Sequence, residues 1–487
     1  MRQERKVFVK RAAYLAFVFV ILLQSCKSVP PPNEKGCLPV KFEVIPAAPA
    51  DVSGALIVTD ISGSMHGFAL PGSVRLFTLH DLLERAVRNA IGSAEPTPAI
   101  RRCYLGSDLD CGKQVGLREL DNASTYSAKE SRLELFMLPP KQAGKSTDSQ
   151  PAKDPIDPYR ISLLITDGME ATAPNAGSAA PCMAGADPDC MAYLLAQRAQ
   201  QGYGVWMTLL LIPFKGNHYA ERPLDNSMWQ RIQHHVSTLG QDPYFQGVGF
   251  SVRRAGTSIP FESYQFEGVK PIMVLALSKD IKAGRAFVQQ FNDLMKRETV
   301  VQPSNAVYSI ELAPHSVRER RVTKIELPKD APIEGVRPIE GKRQQGLFDY
   351  LMECDRNATT KLNVSLEDRQ GEQVVPAGVQ VVYNLVPAAV GTLPDGKLTM
   401  KPTDKGVEIQ MTCQQLREGK YDACLNLQAE LRINLSDTAF WAALSSDNMY
   451  EAPERLFGLR DMVQKVLNFS LARPRVTDRV IFHLERK

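Results

Sequence analysis

The chain has 487 residues, 44% of them hydrophobic and 23% charged, which excludes wholesale disorder and, at ~150 residues per domain, suggests two or three domains. The formal charge is +4, and the first 25 residues already carry it, with Arg2, Arg5, Lys6, Lys10 and Arg11 against Glu4. Everything beyond them sums to about zero, so no basic face for nucleic acid is expected.

The leader comes first. A basic stretch, Met1 to Arg11, precedes twelve mostly apolar residues, Ala12 to Leu23. Twelve residues rise only ~18 Å as a helix, short of the ~30 Å hydrocarbon core that a transmembrane anchor must cross. A secretion signal over residues 1–25 is the better reading. Leu23-Gln24-Ser25-Cys26 resembles a bacterial lipobox, with Leu at −3 and a small residue at −1; Gln24 departs from the small or aliphatic residue usual at −2. The resemblance implies cleavage before Cys26 and acylation of that cysteine, with residues 26–50 as a lipid-anchored linker that starts Lys27-Ser28-Val29-Pro30-Pro31-Pro32. Lys27 stands where an inner-membrane retention signal has Asp, which implies the outer membrane of a bacterial envelope, on its periplasmic or its surface face.

Nine cysteines less Cys26 leave eight, an even number for an oxidising compartment. Proximity suggests Cys103/Cys111, Cys182/Cys190 and Cys413/Cys424, which leaves Cys37 with Cys354. No C-x-x-C pair supports zinc.

From Leu56 to Lys296 apolar strands alternate with amphipathic helices, as in a doubly wound α/β layer. Strands are expected at Ala55 to Thr59, Ala99 to Leu105, Ile161 to Thr166, Val205 to Ile212 and Pro271 to Leu277. Helical stripes run through Leu76, Leu79, Leu82, Leu83, Ala86, Val87 and Ala90, through Met191 to Gln200, and through Ala283, Phe287, Val288, Phe291, Leu294 and Met295. Continuous apolar strands imply a sheet covered on both faces. Pro139 to Pro158 looks like a surface loop, and residues 217–267 read as an insertion with a short helix at Trp229 to Val236. Beyond residue 298 the pattern changes to alternating strands (Ala306 to Leu312, Lys361 to Leu366, Gly378 to Leu385, Val407 to Met411, Ala429 to Leu435, Arg479 to Leu484), with one clear helix at Glu454 to Leu467. Residues 51–298 are thus expected to form the α/β domain and 299–487 a β-rich, sandwich-like region of one or two domains.

Directly after the first strand stands Thr59-Asp60-Ile61-Ser62-Gly63-Ser64-Met65, and another strand ends in Ile165-Thr166-Asp167-Gly168. This Asp-x-Ser-x-Ser-Met element, with the second Asp-Gly, resembles the metal-ion-dependent adhesion site of von Willebrand factor type A domains, over roughly Val52 to Lys296. The family's third loop offers a Thr; Thr125 keeps that residue type, while Ser131, 36 residues before Asp167, better fits the apolar pattern that follows.

The chemistry also stands without the family. Loops at the carboxyl ends of strands converge in an open α/β sheet, so Asp60 and Asp167 are expected to meet. Two carboxylates with Ser62, Ser64 and either Ser131 or Thr125 make an all-oxygen set suited to a hard divalent cation, Mg²⁺ above all, with Mn²⁺ or Ca²⁺ as alternatives. Helix capping explains Asp60 and Ser62 alone, but not both serines and the second Asp-Gly together.

No G-x-S-x-G, P-loop or H-E-x-x-H motif occurs. His66 is expected at an exposed loop rather than as a base, and the adjacent His234 and His235 as a solvated helix face. Asp108, Asp110, Asp187 and Asp189 are expected to be acidic loop residues. The expected function is non-catalytic, namely capture of a partner protein through a carboxylate that completes the metal's shell. The rivals are a vestigial site with the β-rich region as binding module, and a metal-assisted hydrolase.

Overall fold

The computed structural model describes residues 52–69, 76–92, 97–112, 116–137, 154–168, 188–256, 260–297, 307–313, 320–327, 336–344, 347–355, 358–368, 379–394, 396–403, 406–435, 439–448, 450–470 and 475–487. The signal peptide, Cys26, the linker, Cys37 and Cys182 lie outside the described residues, as does the Cys190 side chain.

The first sheet begins as the apolar runs require. Strands β1 (Ala55–Asp60) and β4 (Ile161–Thr166) are buried at all six positions, because both faces of the sheet are covered. β1 lies between β4 and β2 (Ile100–Leu105), parallel to both. The short β3 (Leu109–Asp110) turns back antiparallel on β2, and the Cys103–Cys111 disulfide closes this turn with 4.4 Å between Cα atoms. Helix α1 (Leu76–Ile91) buries Leu76, Leu79, Leu82, Leu83, Ala86 and Val87, the i, i+3, i+4 stripe of its sequence. The single turn α2 (Glu134–Met137) buries Phe136. α3 (Pro188–Gln200) buries Met191, Leu194 and Leu195.

Beyond β4 the sheet departs from a doubly wound layer. β5 (Gly204–Leu224) is 21 residues long, and the chain returns through α4 (Asn226–Thr238) and β6 (Ser251–Arg254) into the 18-residue β7 (Phe261–Ser278). β7 inserts between β4 and β5, antiparallel to both. The order is β3-β2-β1-β4-β7-β5-β8, so the sheet is mixed, with β2, β1 and β4 parallel and every other pairing along it antiparallel. An apolar run shows burial but not strand direction, which explains the difference. The segment 217–267 begins and ends in the far end of the β5/β7 ribbon, paired through Tyr219↔Ser263 and, past a register shift, Leu224↔Phe261; between them lie α4 and β6, the latter on the ribbon's edge. α5 (Ile281–Arg297) follows β7 and buries Ala283, Phe287, Phe291 and Met295; among the described residues no helix is long and apolar enough to cross a membrane.

Two stretches from beyond residue 298 join the same core. β8 (Val307–Ala313) pairs with β5. The segment holding α6 (Ala439–Leu444), the two-residue strands β17 (Ser445–Ser446) and β18 (Leu456–Phe457), and α7 (Leu459–Ser470) contributes Trp441, Leu444, Leu456, Val463, Val466 and Leu467.

A second core lies between two β-sheets. One has the order β10-β11-β19-β16-β13, from Val336–Gln344, Leu347–Cys354, Arg475–Arg486, Gly419–Ile433 and Val379–Gly391. The other runs β14-β15-β12-β9, from Leu398–Thr403, Gly406–Thr412, Thr359–Asp368 and Arg320–Glu326. Phe348, Met352, Leu425 and Phe482 of the first sheet and Val322, Leu362 and Ile409 of the second share this core.

Two expected cysteine pairs are corrected here. Cys354, at the end of β11, bonds to Cys413, just after β15, and so ties one sheet to the other. Cys413 is therefore not joined to Cys424, which is itself disulfide-bonded, nor Cys354 to Cys37. Cys413 follows a strand of one sheet and Cys424 lies in a strand of the other, so closeness in sequence did not make them partners, and the Cys37–Cys354 pair left by elimination fell with theirs.

Candidate functional site

Asp60 ends β1, fully buried at the carboxyl edge of the parallel strands. Its Oδ1 accepts the backbone N–H of Ser62 at 2.8 Å. Its Oδ2 accepts two hydroxyls, Ser131 Oγ at 2.8 Å and Thr166 Oγ1 at 2.7 Å. Thr166 Oγ1 in turn accepts the Gly168 N–H at 3.0 Å, and Gly168 sits at φ +72°, where a side chain is strained. That tight turn fixes Asp167 beside Asp60.

The serines complete the cluster. Ser62 Oγ lies 3.0 Å from Ser64 Oγ, and Ser64 Oγ donates to Asp167 Oδ1 at 3.1 Å. Ser62 stands at the N-cap of the short 3₁₀ turn Gly63–Phe68, yet its side chain makes no capping bond. Capping therefore does not account for this hydroxyl. The turn is held from below by buried Met65 and Phe68, and from the side by a backbone bridge between Ser62 and Ala128, with Gly63 N–H donating to Ala128 O at 3.0 Å. That bridge carries Ser131 into the site.

Thr125 is elsewhere. It lies in the short turn Ala123–Thr125 and donates to Glu119 O at 2.8 Å. Of the two candidates, Ser131 is the one placed with Asp60, Ser62, Ser64 and Asp167.

One participant is not among the expected residues. Lys270 of β7 is 3% exposed, its Nζ 3.6 Å from Asp167 Oδ2 and 4.7 Å from the centre of the Phe214 ring. Its signal was a lone charge inside an apolar strand, Val269-Lys270-Pro271-Ile272, since a lysine is almost never fully buried without a partner. β5 supplies the adjoining wall. A Cβ on Gly67 would meet the Phe214 ring at 2.4 Å, and one on Gly216 would meet Gly67 Cα at 2.7 Å, so the two glycines let the turn lie flat against the ribbon. Tyr219, 41% exposed, stands beside Gly63.

Electrostatically the cluster is under tension. Burial, and then the neighbouring Asp167 charge, push Asp60 up to about 6. Burial pushes Lys270 down, and Asp167 opposes that. These residues suit a small hard cation. An octahedral ion with bonds near 2.1 Å sets adjacent ligand oxygens about 3.0 Å apart, the spacing already present from Ser62 to Ser64 and from Ser64 to Asp167. Among the described residues no group of three or more His, Cys, Asp or Glu is placed to hold a metal; the cluster here has two carboxylates and otherwise hydroxyls.

The remaining candidates fall outside the site. The Ser62 and Ser64 hydroxyls bond each other and Asp167 rather than His66, which is half-buried and not at an exposed loop. His235 is bonded to buried Glu454 at 2.9 Å, which corrects its reading as part of a solvated face. Asp110 accepts the Gly112 N–H within its own turn, and Asp108 is exposed. Asp187 and the Asp189 side chain lie outside the described residues. No family model, curated protein or solved structure matches the chain, so the site rests on its own geometry.

Proposed function

We propose that this is a von Willebrand factor type A-like protein whose adhesion site binds a divalent cation, most readily Mg²⁺, and through it a carboxylate of a partner protein. Asp60, Ser62, Ser64, Ser131 and Asp167 would hold the ion, which would supply an electrophilic position for the partner's carboxylate. The observation that carries the reading is the convergence of three separate loops on one buried carboxylate, with hydroxyl and carboxylate oxygens at octahedral spacing. The lipobox-like leader supports a setting at the bacterial outer membrane, anchored through acylated Cys26, where the protein serves as adhesion module or assembly scaffold rather than as catalyst.

The test is affinity capture from envelope extract with the purified protein, in Mg²⁺ and in chelator, beside Asp60→Ala. Partners retained only in Mg²⁺ and lost in the variant support the reading. Partners that ignore both chelator and variant would move the function to the two-sheet module, and turnover of ester, phosphate or peptide substrates would favour a hydrolase. The anchor is tested by Cys26→Ser, which should abolish labelling by a fatty-acid analogue and leave the precursor uncleaved.

A further inference from the structure

Resting on that reading, we infer that Lys270 is a tethered counter-ion of the site, a cation supplied by the chain itself that a divalent metal must displace, so that Lys270 sets the metal affinity. The argument begins with charge. Asp60 and Asp167 are both fully buried, and two carboxylates brought together out of water repel each other and lose hydration. The only lysine among the buried residues of the described structure is Lys270, with its Nζ on Asp167 Oδ2. At 3.6 Å the pair is an ion pair without the geometry of a direct hydrogen bond, so parting it costs Coulombic attraction but no well-formed bond.

Position points the same way. Asp167 Oδ1 faces the Ser64 hydroxyl, while Oδ2 faces Lys270. Metal and ammonium thus compete for one carboxylate, approached from its two sides. Lys270 sets one positive charge against the two carboxylates, and its removal takes that charge away. A divalent ion therefore enters a site already half neutralised, and each positive charge weakens the hold of the other. Phe214, whose ring face lies 4.7 Å from Nζ, already touches the ammonium and still holds it once Asp167 turns to the metal.

The experiment is Mg²⁺ titration calorimetry on the purified protein and on Lys270→Met and Lys270→Gln, with thermal melts in Mg²⁺ and in chelator. The expected result is Mg²⁺ affinity at least tenfold tighter in both variants, with a lower Tm in chelator and a larger Mg²⁺-induced rise in Tm than in wild type. A merely structural lysine would lower Tm equally in both conditions. Equal or weaker affinity in a folded variant, beside measurable wild-type binding, overturns the inference and leaves the metal reading intact. Binding by the variants but not by wild type upholds the inference and shows Lys270 to be the resident cation. No binding by any of the three overturns both. Variants that fold only with Mg²⁺ support the inference; variants that fail to fold even in Mg²⁺ overturn it, since a metal that displaces Lys270 must be able to stand in for it.

Discussion

The two halves of the first sheet build the same site by different means. In the parallel half, β1 and β4 run side by side and deliver Asp60 and Asp167 from their carboxyl ends, as such sheets deliver ligand loops in general. In the antiparallel half, β7 runs the other way and does not stop at the sheet's edge. It continues with β5 as a ribbon, and Lys270 reaches Asp167 from along a strand, paired with Ile212. Parallel strands provide loops, whose conformation tolerates change; an antiparallel ribbon provides a rigid wall with side chains at fixed intervals. The acidic groups come from the first half and the basic one from the second.

The comparison is broken most severely from the core of the ribbon half. Trp206 of β5 is 2% exposed, its indole seated where side chains on Gly204 or Gly284 would collide with it. Trp206→Ala should cost about 3–5 kcal/mol, read by denaturant unfolding, and should lower Mg²⁺ affinity too if the ribbon positions the site. Destabilisation without any change in affinity would show that the parallel half is self-sufficient.

Acid sensitivity comes next, and within the parallel half two neighbouring groups respond with opposite sign. His80 of α1, buried and bonded to Thr59 beside the site, is held at about 3 by burial first and then by Arg102. Its folded value lies below the ordinary 6.5, so the unfolded chain takes up a proton that the folded one refuses, and stability falls as pH drops through 6.5. Between pH 7 and 5 this group should cost about 2 kcal/mol. Asp60, raised to about 6, acts with the opposite sign in chelator: its folded form takes up a proton first, so stability rises over the same interval. Comparing wild type with His80→Gln at both pH values isolates the histidine; an identical pH response in the two would refute its buried neutral state.

Asp60→Ala should weaken Mg²⁺ binding by at least tenfold, or about 1.4 kcal/mol, while raising Tm in chelator, because a buried carboxylate that repels Asp167 is gone. A lower Tm in chelator would mean that the bonds from Ser62, Ser131 and Thr166 outweigh that repulsion. The finest distinction separates two hydroxyls. Ser131→Ala should weaken Mg²⁺ measurably, whereas Thr125→Ala should leave the affinity within about twofold, or about 0.4 kcal/mol. Equal effects of the two would undo the assignment of the third loop.

What was legible in the sequence follows the same division. Asp60, Ser62, Ser64 and Asp167 were visible because short-range pattern defines them: an apolar run, then the polar turn that must follow it. So were the stripes of α1 and α5, and the Cys103–Cys111 turn. Ser131 could not be separated from Thr125, because the bridge between Ser62 and Ala128 that decides it joins segments over 60 residues apart. Lys270 was hidden by strand direction: the hydropathy of β7 reads alike in both directions, and only its antiparallel pairing with β4 points it at Asp167. The Cys354–Cys413 bond depended likewise on which strands face each other across the second core.

The path of the chain between the two cores has a consequence for how the molecule bears load. It leaves the first core after β8 for β9, returns from β16 into α6 and α7, and leaves again into β19. Three covalent crossings connect the cores where two beads on a string have one. A force that separates the two cores is therefore shared among three segments of chain, and a single proteolytic cut between the cores leaves two of them intact. Expression of residues 51–298 alone would remove Trp441, Val463 and Leu467 from the core they complete and leave that surface open to water. The Asp60–Asp167 cluster and the two-sheet module are thus to be inherited, truncated and tested as one piece.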